Sequence, residues 1–124
     1  ETKALKLIKQ ELKDYFAGKK LDFASKIAGA GTDFQNQVWE ELRRIPPGET
    51  RSYQEVSTPI GRPTAMRAVA NANRLNRCAI ILPCHRVIGA DGTLTGYAGG
   101  LWRKQWLLDH ERRHTRQTLF SAQA

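Results

Sequence analysis

Cysteine is scarce in this chain, and long apolar runs are missing. Only Cys78 and Cys84 occur in 124 residues. That is too few for the disulfide framework of a small secreted domain, so the expected setting is reducing and intracellular, cytoplasmic or nuclear. Their spacing and the later His110-x3-His114 do not make a zinc finger, and no metal is expected. No stretch approaches the ~20 apolar residues that span a bilayer, and no leader pattern opens the sequence. Acidic residues are in deficit: 12 Asp and Glu face 20 Lys and Arg, a formal charge of +8. The excess suits a polyanionic partner, since each neutralised phosphate releases counterions, but basic charge alone is only permissive. What is there is enough for one domain with its own core.

Leu5, Ile8, Leu12, Tyr15 and Phe16 recur at helical spacing across residues 3–16, and Gly18 ends that helix. A glycine-containing connection at residues 26–31 reads as a linker. A lone amphipathic helix cannot bury its own stripe, so it must lie on something. Thr32-x-x-Gln35 is a capping-box signature. The helix it opens carries Phe34, Val38, Leu42 and Ile45 on one stripe and ends before Pro46-Pro47-Gly48. A second box, Ser52-x-x-Glu55, starts a short helix to about Thr58. After the turn Ile60-Gly61-Arg62, Pro63 suits the first position of a further helix over residues 63–73. There Ala65, Val69 and Ala72, with Met66 alongside, take core spacing, while Arg67, Asn71 and Arg74 form a separate polar stripe. The small Ala68, Ala70 and Ala72 permit close approach to a nucleic-acid backbone. A short helix, a glycine turn and a helix with one basic face match a helix-turn-helix, although a solvated surface helix has the same pattern.

The apolar run Ala79-Ile80-Ile81-Leu82 reads as a short strand that delivers Pro83-Cys84-His85-Arg86-Val87 to a polar loop. Thiolate is the reactive form of cysteine, and imidazole best sets its protonation near neutral pH. A buried cysteine beside an unrelated histidine is the bland alternative. A hairpin turn is expected at Ala90-Asp91-Gly92-Thr93, then a glycine-rich loop around Tyr97. The last helix is expected over residues 101–113, with a frayed tail at 114–124. On it Glu111 falls between Leu107 and Leu108 on the wheel, so its carboxylate points inward and needs a partner. A histidine and Lys104 are the two candidates.

With the Pro-Cys-His-Arg-Val core joined to this helix-turn-helix, the chain resembles the O6-alkylguanine-DNA alkyltransferases, also called methylated-DNA–protein-cysteine methyltransferases. The resemblance covers residues 32–111. It runs through Val38-Trp39, Ile45-Pro46, Ser52-Tyr53-Gln54, Gly61-Arg62-Pro63, Arg67-Ala68-Val69, Asn76, Asp91-Gly92, Gly96-Tyr97 and Trp106-Leu107-Leu108…Glu111. It implies a mainly α fold with a small β-hairpin or wing, a winged helix-turn-helix-like catalytic domain at 32–113. Residues 1–31 are then the terminal helix and linker of a truncated N-terminal domain. The implied partner is double-stranded DNA carrying O6-alkylguanine, and in principle O4-alkylthymine, bound through the minor groove by a monomer. No cofactor is implied.

The implied reaction is one irreversible transfer of the alkyl group to Cys84. His85 and Glu111 match a Glu-His-water-Cys relay, and Asn76 ties the turn after the recognition helix to the active-site segment. Tyr53 crowds the phosphate and helps protonate the leaving guanine. Arg67 fills the space of the extruded nucleotide, with Ala68, Ala70, Asn71 and Arg74 along the DNA face. Pro83, Val87, Tyr97 and Ala98 match the substrate pocket and its lid. A free thiol with a pKa near 8.5 is only a few per cent thiolate at pH 7. A shift down by about two units takes roughly 2.7 kcal/mol, which a nearby imidazolium is expected to supply. Cys78 matches no role and is expected to pack. The alternatives are a damage-recognition module, against which Cys84 itself argues, and a DNA-binding regulatory fragment.

Overall fold

The computed structural model describes residues 2–25, 31–76, 78–94, 97 and 99–123, with side chains through 115. Residues 26–30 of the linker expected at 26–31 and the expected site residue Ala98 lie outside the described residues, as do Arg77, Thr95 and Gly96. The fold is mainly helical. In chain order it comprises α1 (Lys3–Phe16), α2 (Asp33–Arg43), β1 (Arg51–Ser52), α3 (Tyr53–Ser57), α4 (Met66–Arg74), a 3-10 turn at Cys84–Arg86, β2 (Val87–Ile88) and α5 (Leu101–Gln123).

Both capping boxes form. Thr32 Oγ1 accepts from the Gln35 amide while the Gln35 side chain accepts from Thr32, and Ser52 and Glu55 do the same for α3. Each cap satisfies donors that have no partner inside the helix and contributes about 1 kcal/mol. The core of the domain is then Val38, Leu42, Ile45, Val56, Val69, Ala72 and Val87, which bury the apolar stripes of α2, α3 and α4 against β2.

Four sequence expectations are corrected. The recognition helix begins at Met66, with Ala65 as its N-cap, rather than at Pro63. Residues 62–65 are spent on a turn closed by the Ala65 amide on the Arg62 carbonyl (3.0 Å). Met66 consequently faces solvent. The run Ala79–Leu82 is not a strand. It is a turn closed by an isolated bridge between those two residues, with Ile80 at φ 77°. The two strands that do form are parallel, Arg51 opposite Val87 and Ser52 opposite Ile88, so this sheet is not a hairpin. Gly89 and Thr93 still close the expected turn, amide to carbonyl at 2.9 Å. Finally, α5 continues to Gln123. Nothing in its sequence breaks a helix, and His114 and Thr115 pack against the turns at Gly18 and Gly48. Gly18 (φ 75°) lies under the His114 ring where a Cβ would collide with it, and a Cβ at Gly48 (φ 86°) would come within 2.7 Å of Thr115 Oγ1. At both positions the positive φ and the close neighbour call for glycine.

The first helix does lie on something. Tyr15 is fully buried, and its ring meets Phe23 and His110 at centroid distances of 5.7 and 5.2 Å. His110 stacks on Trp106 at 4.8 Å, and its Nε2 bonds the Tyr15 carbonyl (2.6 Å). The segment after α1 is pinned too. Glu11 accepts from the amides of Ala24 and Ser25 and from the Ser25 hydroxyl. Arg43 donates to the carbonyls of Phe23 and Ser25 at 3.0 Å each.

Candidate active site

Cys84 opens the 3-10 turn, is buried, and borders a cavity of about 560 Å³. Its placement depends on Asn76, just beyond the end of α4. Asn76 Nδ2 donates to the Leu82 carbonyl (2.8 Å), and its Oδ1 accepts from the Cys78 amide (2.8 Å). One amide thus ties the end of the recognition helix to the nucleophile's turn. Ile80, held in the left-handed region, also borders the cavity. A β-branched residue there costs on the order of 1–3 kcal/mol and is held by its surroundings.

The turn places His85 and Arg86 inward, both buried, onto Glu111 of α5, which is fully buried. His85 Nε2 lies 2.7 Å from Glu111 Oε2. Arg86 is bidentate, Nε to Oε1 at 2.8 Å and Nη2 to Oε2 at 2.9 Å, and its Nη1 donates to the Ile45 carbonyl (2.7 Å). Burial opposes the Glu111 charge, but the bonds from His85 and Arg86 outweigh it and hold the carboxyl down at about 2. Glu111 is therefore an acceptor only. His85 Nε2 must carry the proton, which leaves Nδ1 as the acceptor nitrogen. That Nδ1 is buried with no hydrogen-bond partner among the described residues. Of the two candidates for Glu111, histidine is the partner. Lys104 Nζ instead donates to the Val87 carbonyl (2.6 Å), and burial holds its ammonium down to about 8.

The expected resting thiolate–imidazolium pair is corrected. Burial pushes the Cys84 thiol up, with the Asn76 bond and the Lys104 charge acting against it. Burial likewise pushes His85 down, assisted by the charges of Arg86 and Lys104 and opposed by Glu111. Desolvation disfavours whichever form is charged, so both groups rest neutral. A neutral imidazole with an open Nδ1 is a base rather than a counter-ion.

Tyr97 borders the cavity beside Cys84, and burial with the nearby thiol pushes its phenol up to about 12. The other expected pocket residues are elsewhere. The Val87 side chain is wholly in the core, and Pro83 lines a separate small recess with Arg86 and Ile81. Tyr53 begins α3 and packs half-buried against the core. On α4, Val69 and Ala72 face inward while Arg67, Ala68, Ala70, Asn71 and Arg74 are exposed, Arg74 Nη2 donating to Asn71 Oδ1 (2.6 Å). Sequence reasoning missed Arg86 as a ligand of Glu111, Asn73 and Trp102 on the cavity wall, and Tyr15, whose hydroxyl donates to Glu111 Oε2 (2.6 Å). An Arg next to His-Cys was a visible signal for the first; the others carry none in local pattern.

Fold and site together define a helix-turn-helix domain built around a buried cysteine. A family model described as 6-O-methylguanine DNA methyltransferase, DNA binding domain, matches residues 33–113. A methylated-DNA–protein-cysteine methyltransferase of Methanosarcina barkeri is 54% identical over 107 residues, 86% of this chain and 68% of the relative. That of Salmonella typhimurium is 50% identical over 105 residues, 84% of this chain and 61% of its own length. The crystal structure of Mycobacterium tuberculosis OGT in complex with DNA matches with a TM-score of 0.85 at 51% identity, covering 88% of this chain and 68% of that one. Schizosaccharomyces pombe Atl1, in complex with damaged DNA containing O6-carboxymethylguanine, matches with a TM-score of 0.58 at 29% identity, over 64% and 75% of the two chains. The chain spans about two-thirds of the length of the M. barkeri relative. It belongs to the 6-O-methylguanine DNA methyltransferase family.

Proposed function

We propose that this chain repairs DNA by moving the alkyl group of O6-alkylguanine onto Cys84, once and irreversibly. The observation that carries the reading is the buried Cys84 thiol bordering a cavity, with His85 of the same turn bonded to Glu111 of α5. The exposed stripe of α4, with Arg67 at its start, takes the duplex. The damaged nucleotide leaves the stack because O6 is out of reach of in-line attack within it, and Arg67 occupies the vacated space. Tyr53 stands at the phosphate.

In the transfer the thiol proton passes to His85 Nδ1, by way of the bridging water of the family's relay. Sγ attacks the alkyl carbon, the carbon–O6 bond breaks, and the guanine takes a proton, which Tyr53 helps deliver. The imidazolium forms only in this step, 2.7 Å from the Glu111 carboxylate. Glu111 therefore stabilises charge as it develops rather than in the ground state. The thioether left on Cys84 is a poor leaving group, so the protein acts stoichiometrically.

Duplex DNA with a labelled methyl on guanine O6 should transfer its label to the wild-type protein and not to Cys84→Ala. Tight binding of that duplex without transfer, by folded wild-type protein, would instead make this a damage-recognition module.

A further inference from the structure

The carboxylate of Glu111 is loaded unevenly. Among the described residues, Oε1 receives Arg86 Nε alone, at 2.8 Å. Oε2 receives His85 Nε2 at 2.7 Å, Arg86 Nη2 at 2.9 Å and the Tyr15 hydroxyl at 2.6 Å. A carboxylate oxygen offers about two lone-pair directions, so three donors on one oxygen compete. The third comes from α1, ahead of residue 33 where the family match begins. We infer that Tyr15 is a positioning residue for the relay, its hydroxyl drawing charge from Glu111 Oε2 and so setting how strongly Glu111 holds a proton on His85.

Several observations make this a built contact. Tyr15 is fully buried, its ring is fixed by Phe16, Phe23 and His110, and its carbonyl bonds His110 Nε2 (2.6 Å). Its phenol is raised by burial and by the Glu111 charge, so it remains a donor throughout the working pH range. The other groups facing the pair are accounted for. Glu111 meets His85 and Arg86 from the 3-10 turn, while the charge of Lys104 on α5 acts on Cys84 and the thiol acts on Tyr97. Of these groups, only Glu111 is bonded by the Tyr15 hydroxyl. Docking of α1 thereby becomes part of the thiol's chemistry as well as of the core.

The inference rests on the His85–Glu111 relay proposed above, and its test uses a reagent that needs no lesion. Cys84 alkylation by iodoacetamide is followed against pH by peptide mass, with methyl transfer from duplex DNA measured in parallel. In Tyr15→Phe the ring packing is kept and Oε2 loses a competing donor. His85 then holds its proton to higher pH, and the acid limb of the profile should move up by about one unit. A 3-fluorotyrosine placed at position 15 is a stronger donor and should move the limb down. In a Glu111→Gln background Tyr15→Phe should produce no such shift. An unmoved limb in Tyr15→Phe, a uniform loss of rate at all pH values, or an equal shift without Glu111 would each overturn the inference. Failure of methyl transfer with the shift intact would count against the repair reading and leave the Tyr15 role standing.

Discussion

The inside of the active-site turn and the outer face of α4 handle polar groups in opposite ways. Around Glu111, four side-chain donors from Tyr15, His85 and Arg86 converge on two oxygens, all out of solvent. On α4, Arg67, Asn71 and Arg74 are exposed, and the helix begins without a side-chain cap. The interior is assembled before any partner arrives, as a buried charge requires, because an unpaired one costs several kcal/mol. The exterior keeps these side chains at the surface, with Arg74 bonded only to its neighbour Asn71 among the described residues. On the proposed function, DNA phosphates replace their water with release of counterions. On the proposed function, one region is preorganised for chemistry and the other is available for binding, with Asn76 joining them.

Substitutions should separate the two. Cys84→Ala abolishes transfer while leaving duplex affinity near the wild-type value, checked by label transfer and by fluorescence anisotropy. Glu111→Gln leaves Arg86 without its counter-charge. It should lower unfolding free energy by about 3 kcal/mol and slow Cys84 alkylation about tenfold or more, with duplex affinity nearly unchanged. If affinity falls as far as reactivity, the interior and the binding face are not separate. Arg67→Ala should do the reverse. It slows repair in duplex DNA about tenfold or more, because unstacking costs a few kcal/mol, but spares reaction with free O6-benzylguanine. Equal losses on the two substrates would move Arg67 out of the extrusion role.

The interior should also titrate where the exterior does not. Glu111 has its folded pKa depressed to about 2 from an ordinary 4.5. Its contribution is complete above pH 4.5 and is lost as pH falls toward 2, on the order of 3 kcal/mol across that window. Acid unfolding followed by circular dichroism should show that limb in the wild type and a flatter one in Glu111→Gln. The smallest effect belongs to Cys78. It helps anchor Asn76 through its backbone amide rather than its thiol. Cys78→Ser should therefore change stability by less than about 1 kcal/mol and leave transfer intact.

Much of this was legible in the chain. The two capping boxes, the stripe of α2 and the inward bearing of Glu111 follow from periodicity that the tertiary fold respects. The apolar stretch Ala79–Leu82 misled because four apolar residues suit a buried turn as well as a strand, and only the backbone of Ile80 decides between them. Pro63 had the right chemistry for a helix start, but the turn at 62–65 claims those residues first. The resting charge of Cys84 was misjudged because adjacency to histidine says nothing about desolvation. Tyr15 could be placed on an apolar face but not given a partner, since Glu111 lies 96 residues away.

On the proposed function, Cys84 is an acceptor consumed by a single reaction. Protein incubated with excess duplex DNA containing O6-methylguanine, then digested and weighed by mass spectrometry, tests it directly. One methyl group is expected on the peptide containing Cys84, none on that containing Cys78, and no further uptake from fresh substrate. An unmodified Cys84 in folded protein bound to that duplex, or continued turnover, would contradict it.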